Sequence, residues 1–169
     1  MYLVMGALLV RLGLFNMKVK CIAIGNIIMG DESIGIKVLE KLSTQLKKEN
    51  IEAVFGETDL DYALSKIDDG DLLFIFDSTY FNIVPGTVTF TPIEEAMLQH
   101  QQVYSQHQPS LITLLKTYKK SVKGFIIGIE VKEIHFSLEL SDILTEKFPN
   151  ICEEVSDFIY HTLRGVKHA

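Results

Sequence analysis

The stretch Val19-Lys20-Cys21-Ile22-Ala23-Ile24-Gly25-Asn26-Ile27-Ile28-Met29-Gly30-Asp31-Glu32-Ser33-Ile34-Gly35 passes from an apolar run, through a glycine-bearing acidic turn, into a helical pattern. Val19 to Ile24, short and continuously apolar after a charged start, predicts a strand buried on both faces of a parallel sheet. Gly25-Asn26 closes it. Beyond the turn, Gly35, Val38, Leu39, Leu42 and Leu46 recur at helical spacing, with Lys37, Glu40, Lys41, Lys47 and Lys48 turned outward. This predicts an amphipathic helix to about Lys48, with Asp31 or Ser33 as its N-cap. In an open α/β sheet a strand-to-helix turn lies at the carboxyl end of a strand, where ligands bind. Glycines at a helix N-terminus ordinarily suit an anion. Asp31 and Glu32 reverse that preference, because their charge repels phosphate and attracts a metal or a basic group.

The same alternation continues outward. Ile51 to Phe55 predicts a second strand, followed by a modest helix from Asp59 to Ile67 that Asp68-Asp69-Gly70 stops. Asp71-Leu72-Leu73-Phe74-Ile75-Phe76-Asp77 predicts a third strand, apolar on both faces and ending in an acid. A carboxylate at the end of a buried strand is costly unless it is paired, hydrogen-bonded or functional, so Asp77 ranks high as a site residue. Pro85-Gly86 and then Thr87-Val88-Thr89-Phe90-Thr91 alternate at period two, as in an antiparallel edge strand with one wet face. Pro92 to Gln108 reads as a short helix and a loop, Ser110 opens another helix, and Phe125 to Ile129 is a buried strand ended by Glu130. Ser141-Asp142 looks like a helix start. Pro149 predicts a break, with the final helix from about Asn150 to Leu163. Strands alternating with helices imply an α/β sandwich with a mostly parallel sheet.

The chain has 169 residues, enough for one domain that buries about two thirds of its unfolded surface. Residues 17–164 are read as that single domain and 165–169 as a frayed tail. Residues 1–16 are almost wholly apolar around Arg11, too short for a bilayer span and unlike a signal peptide. They are read as an extension upstream of a functional start at Met17. Lys and Arg number 16 against 22 Asp and Glu, giving a net charge of −6 and no general footprint for nucleic acid. The two cysteines, Cys21 and Cys152, lie in apolar contexts and read as reduced core thiols of a cytoplasmic protein.

Motifs of the common hydrolases are missing: no G-x-S-x-G elbow, no H-E-x-x-H helix and no P-loop. What remains at element ends is Glu32 after the first strand, Asp77 ending the third, and His107 before a helix. Two carboxylates and an imidazole suit a borderline divalent ion such as nickel or zinc, with positions left open for outside ligands. His100, His161 and His168 read as solvent-facing. His135 follows a strand end and is a weaker candidate.

At these residues a family resemblance becomes specific. Gly25-Asn26-Ile27-Ile28-Met29-Gly30-Asp31-Glu32-Ser33-Ile34-Gly35 resembles the N-terminal motif of the [NiFe]-hydrogenase maturation endopeptidases. Phe76-Asp77-Ser78, Pro85-Gly86-Thr87, Ser105-Gln106-His107 and Ile127-Gly128-Ile129-Glu130 resemble its later landmarks, in order, from Met17 to about Leu163. The resemblance implies a twisted five-stranded sheet between helices and removal of a C-terminal peptide from a hydrogenase large-subunit precursor. It also implies that Glu32, Asp77 and His107 recognise nickel held by that precursor, not by the enzyme permanently. Asp31 is left as a cap or as the base that activates water, and the nickel as a Lewis acid or only a recognition element. The glycines are expected to admit a metal-bearing peptide close to the backbone. Ser33 and the acidic Gly56-Glu57-Thr58-Asp59 depart from the family pattern. The alternatives are a hydrolase related to peptidyl-tRNA hydrolase, which the chain's acidity disfavours, and a non-enzymatic nickel-binding maturation factor.

Overall fold

Strand β3 (Leu72–Thr79) alternates its apolar residues so that Phe74 and Phe76 enter one core while Leu73 and Ile75 enter another. A strand can be apolar on both sides only if both faces of its sheet are covered, and here they are. The computed structural model describes residues 17–98 and 110–167. Around β3 stand β1 (Val19–Ile24), β2 (Glu52–Glu57), β5 (Lys123–Glu130) and β4 (Val88–Pro92), in the order β2-β1-β3-β5-β4. All neighbours are parallel except β4, which runs antiparallel to β5 at the edge. Five strands, mostly parallel, between two layers of helices is the architecture that the sequence pattern predicts.

Helices α1 (Ile34–Lys48) and α5 (Asp142–Lys167) cover one face, burying Val38, Leu39, Val155 and Ile159 on Cys21, Phe74, Phe76 and Ile127. Helices α2 (Leu60–Ser65), α3 (Ile93–Leu98) and α4 (Leu111–Thr117) cover the other, over Ile22, Leu73, Ile75 and Ile126. The predicted break at Pro149 is absent, and α5 runs through it. An interior proline costs a helix about 3 kcal/mol. Leu144 before it and Ile151, Val155 and Ile159 after it belong to one buried stripe, and their shared burial outweighs that cost. Among the described residues no helix is long and apolar enough to cross a membrane. Both cysteines are buried; burial pushes the Cys21 thiol far up and, against the nearby charge of Lys41, the Cys152 thiol to about 11. Neither is a thiolate nucleophile at neutral pH.

The amino edge of the sheet is closed by charge. Lys20, on β1, is almost wholly out of water, with its ammonium 2.7 Å from Asp71 and 3.3 Å from the exposed Asp68. Burial alone would lower its pKa, but the hydrogen bonds and charges of Asp71 and Asp68 outweigh that and raise it. Asp71 in turn accepts the Asp68 N–H at 2.9 Å, tying down the turn before β3. Asp71→Ala strands a buried ammonium and is expected to cost about 3–5 kcal/mol of stability in urea unfolding. Asp68→Ala, which removes an exposed partner, is expected to change the urea midpoint far less.

Candidate active site

Among the acids at the carboxyl edge of the same sheet, the environments of Asp31, Glu32, Asp77 and Glu130 divide them. Asp31 lies in a single 3-10 turn, Gly30–Ser33, between β1 and α1 and is 1 % exposed. Its carboxylate accepts the Ser141 N–H at 2.7 Å, the Ser141 hydroxyl at 2.9 Å, and the Lys132 and Glu133 N–H groups at 3.0 and 3.3 Å. A carboxylate offers about four acceptor positions, so this one is saturated. Of the two residues expected to cap α1, Ser33 takes the N-cap position, its hydroxyl donating to Gly30 O at 2.7 Å. Asp31 clamps the loop between β5 and α5, with three of its four donors on Oδ2 and one on Oδ1.

Glu130, at the end of β5, is fully buried and performs the matching task on the neighbouring loop. It accepts the Thr79 hydroxyl at 2.8 Å, the Phe81 N–H at 2.8 Å and the Ile83 N–H at 3.3 Å. In the sequence it was legible only as the residue that closes a strand. The available signal was the one that singled out Asp77: an acid directly after a fully apolar run.

Glu32 and Asp77 are brought together at this edge without such partners. Glycine at 35 lets the first turn of α1 lie on the end of β3: a Cβ there would be 3.1 Å from the Phe76 carbonyl carbon and 3.3 Å from Asp77 N. Gly25, with φ +148°, lets the chain fold back on Glu32, whose carbonyl oxygen would be 2.4 Å from a Cβ. These two glycines serve internal fit, not the approach of an outside peptide. Asp77 keeps part of its surface open, yet its carboxyl sits deep among sheet atoms. Desolvation raises its pKa to about 7, the Ser78 N–H at 2.8 Å draws it down, and the negative charge of Glu32 pushes it up again. Desolvation raises Glu32 as well.

Two under-neutralised carboxyls at one edge attract a cation, and one that titrates near neutrality can take or give a proton. His107 lies outside the described residues, as do His100 and His168. Among the described residues no group of three or more His, Cys, Asp or Glu side chains is placed to hold a metal. His135 and His161 are exposed. Of the two departures from the family pattern, Ser33 is buried and hydrogen-bonded within its turn, and Asp59 caps α2 by accepting the Tyr62 N–H at 2.8 Å.

A folded-state pKa above the unfolded value means that stability is fully present below about pH 4, the unfolded carboxylate value, and declines as pH rises through the folded value near 7. Asp77→Asn keeps the oxygen that accepts the Ser78 N–H and removes the titration. At pH 8 and above it is expected to raise the thermal midpoint over the native protein, with the gap closing toward pH 4. Asp31→Ala leaves buried N–H groups of the β5–α5 loop without an acceptor and is expected to cost about 1–3 kcal/mol per group left unsatisfied, with faster hydrogen exchange at Lys132, Glu133 and Ser141.

Comparison with known proteins adds a lineage to this geometry. The hydrogenase maturation protease family model matches residues 36–157, a span that includes Asp77 and His107 and begins just after Glu32. A putative hydrogenase maturation protease of Methanocaldococcus jannaschii is 27% identical over 135 residues, covering 78% of this chain and 82% of that one. The hydrogenase expression/formation protein HupD of Thiocapsa roseopersicina is 25% identical over 147 residues, 82% of this chain but 62% of its own length. Among solved structures, the E. coli hydrogenase maturating endopeptidase HybD superposes with TM-score 0.70 at 21% identity, covering 86% of this chain and 94% of that one. The [NiFe] hydrogenase maturation protease HybD of Thermococcus kodakarensis gives 0.67 at 24%, covering 84% and 99%. The family model spans well over half of the chain, which is thus a protease belonging to the hydrogenase maturation protease family.

Proposed function

We propose that this protease removes the C-terminal peptide of a [NiFe]-hydrogenase large-subunit precursor in the cytoplasm, once nickel has been loaded into that precursor. The observation that carries the reading is the pair Glu32 and Asp77, desolvated and, among the described residues, lacking cationic partners at the carboxyl edge of the sheet. Nickel arrives as part of the substrate, held by the precursor's own ligands, and the two carboxylates complete its coordination from the enzyme side. His107 is the third member of this set. Its assignment rests on the Ser105-Gln106-His107 motif, which precedes α4 in the chain. Asp77 shares the alternation of Leu73 and Ile75 and so lies toward the α2–α4 face of the sheet.

Cleavage adds water across one peptide bond and releases an amine and a carboxylic acid. Glu32 and Asp77 are the carboxyls beside which the attacking water and the scissile bond would lie. Metal gating follows from the same charges. Without a cation the acids repel each other, and with one the scissile segment is fixed beside them.

The test mixes the purified protein with nickel-loaded and nickel-free precursor and follows precursor mass. Only the loaded form is expected to lose its C-terminal peptide. Glu32→Ala, Asp77→Ala and His107→Ala are each expected to lower cleavage by roughly 10²-fold or more. Equal cleavage of nickel-free precursor would refute the gating, and tight nickel binding by the protein alone, without cleavage, would favour a metal carrier instead.

A further inference from the structure

Nine of the twelve large apolar side chains exposed among the described residues lie on three loops, those that follow β1, β3 and β5. They include Ile27 and Ile28 after β1, Phe81 and Val84 after β3, and Phe136 and Leu138 after β5. Val84 is 63 % exposed and Phe136 78 %. Scattered singly such residues need no explanation, but concentrated on one edge they mark an interaction site.

The loops form one layer. Val131 N–H donates to Thr79 O at 2.9 Å, Gly30 N–H to Ser137 O at 2.8 Å and Ser137 N–H to Ile28 O at 3.0 Å. Asp31 and Glu130 hold this layer from beneath through the amides of Lys132, Glu133, Phe81 and Ile83. The fold thus devotes two buried carboxylates to fixing loops whose apolar side chains remain in water. Loops free to rearrange would cover some of that surface.

Charge selects the occupant. The loop 80–87 has no ionisable acid or base beyond Tyr80, and Lys132 is paired with Glu133 at 3.7 Å. Within the layer stand Glu32 and Asp77, short of positive charge. A second copy of this chain would bring the same acids face to face, because a two-fold interface apposes identical patches. Nucleic acid and anionic lipid would be repelled for the same reason. The complement is a protein surface with an apolar ring around a positive centre.

We propose that these three loops are the docking surface for the precursor, gripping the apolar surface around its metal centre while Glu32 and Asp77 face the metal. This rests on the proteolytic reading above. The surface supplies affinity and the acids supply chemistry, so the two are separable. Steady-state cleavage of nickel-loaded large-subunit precursor by Val84→Asp and Phe136→Asp is expected to show KM raised about tenfold or more, with kcat and thermal midpoint unchanged. Val84→Ser and Phe136→Ser, which add no charge, move KM in the same direction. Tyr118→Asp, equally exposed at the opposite edge of the sheet, leaves KM at the native value. Native KM in all four loop variants, beside normal cleavage by the native protein, overturns the docking surface and spares the proteolytic reading. A native protein that neither binds nor cleaves the precursor overturns both. A native dimer that the loop variants disperse, with KM unmoved, assigns the surface to a second copy and overturns the proposal.

Discussion

A carboxylate buried against backbone N–H groups is the contact on which the carboxyl edge of this protein depends. Beyond the strand ends only a few backbone bonds join the loops there, and most of their large apolar side chains lie in water. Asp31 and Glu130 supply the missing order by accepting several amide and hydroxyl protons each. Charge-assisted bonds of this kind are stronger than neutral ones, which offsets the desolvation of the two acids. The result is a rigid surface at the place where most α/β proteins have their most mobile segments.

That arrangement also defines what Glu32 and Asp77 are. Asp31, Glu130, Glu32 and Asp77 sit on one edge, chemically alike, and differ in what surrounds them. Two are saturated by protons from their neighbours and are structural. The other two lack that support among the described residues, where Asp77 accepts the N–H of its own successor, Ser78. Burial without compensation is the state in which a carboxyl becomes reactive, and such groups gather at functional sites. The opposite edge shows the contrast. There Lys20 meets Asp71 at 2.7 Å, each charge answers the other, and what results is a brace.

Much of the fold was legible because its determinants are local. Continuous apolar runs gave the buried strands, period-two alternation gave the edge strand β4, and helical spacing gave α1. Glu32 and Asp77 could be singled out from position alone, as acids at strand ends. What the sequence hid was long-range. The partners of Asp31 lie 101 to 110 residues away, so nothing near it distinguishes a clamp from a cap or a base. Glu130 reaches back about 50 residues to Thr79 and Phe81 and looked like a strand terminus. Pro149 was misjudged for the opposite reason: its local preference is strong, but buried residues on both sides of it share one core. The glycines at 25 and 35 read as room for a partner, whereas the room is taken by Glu32's carbonyl and the end of β3.

The elevated pKa of Asp77 has a thermodynamic corollary for whatever cation settles beside it. Near neutral pH this carboxyl is protonated in a substantial fraction of molecules. A divalent ion favours the ionised form, so its arrival and the departure of a proton are one linked event. Affinity for the cation therefore rises with pH across the region of that pKa. With Asp77 as the metal ligand proposed above, the protein would exchange one positive charge for another at a fixed place, and the released proton would be the record of the exchange.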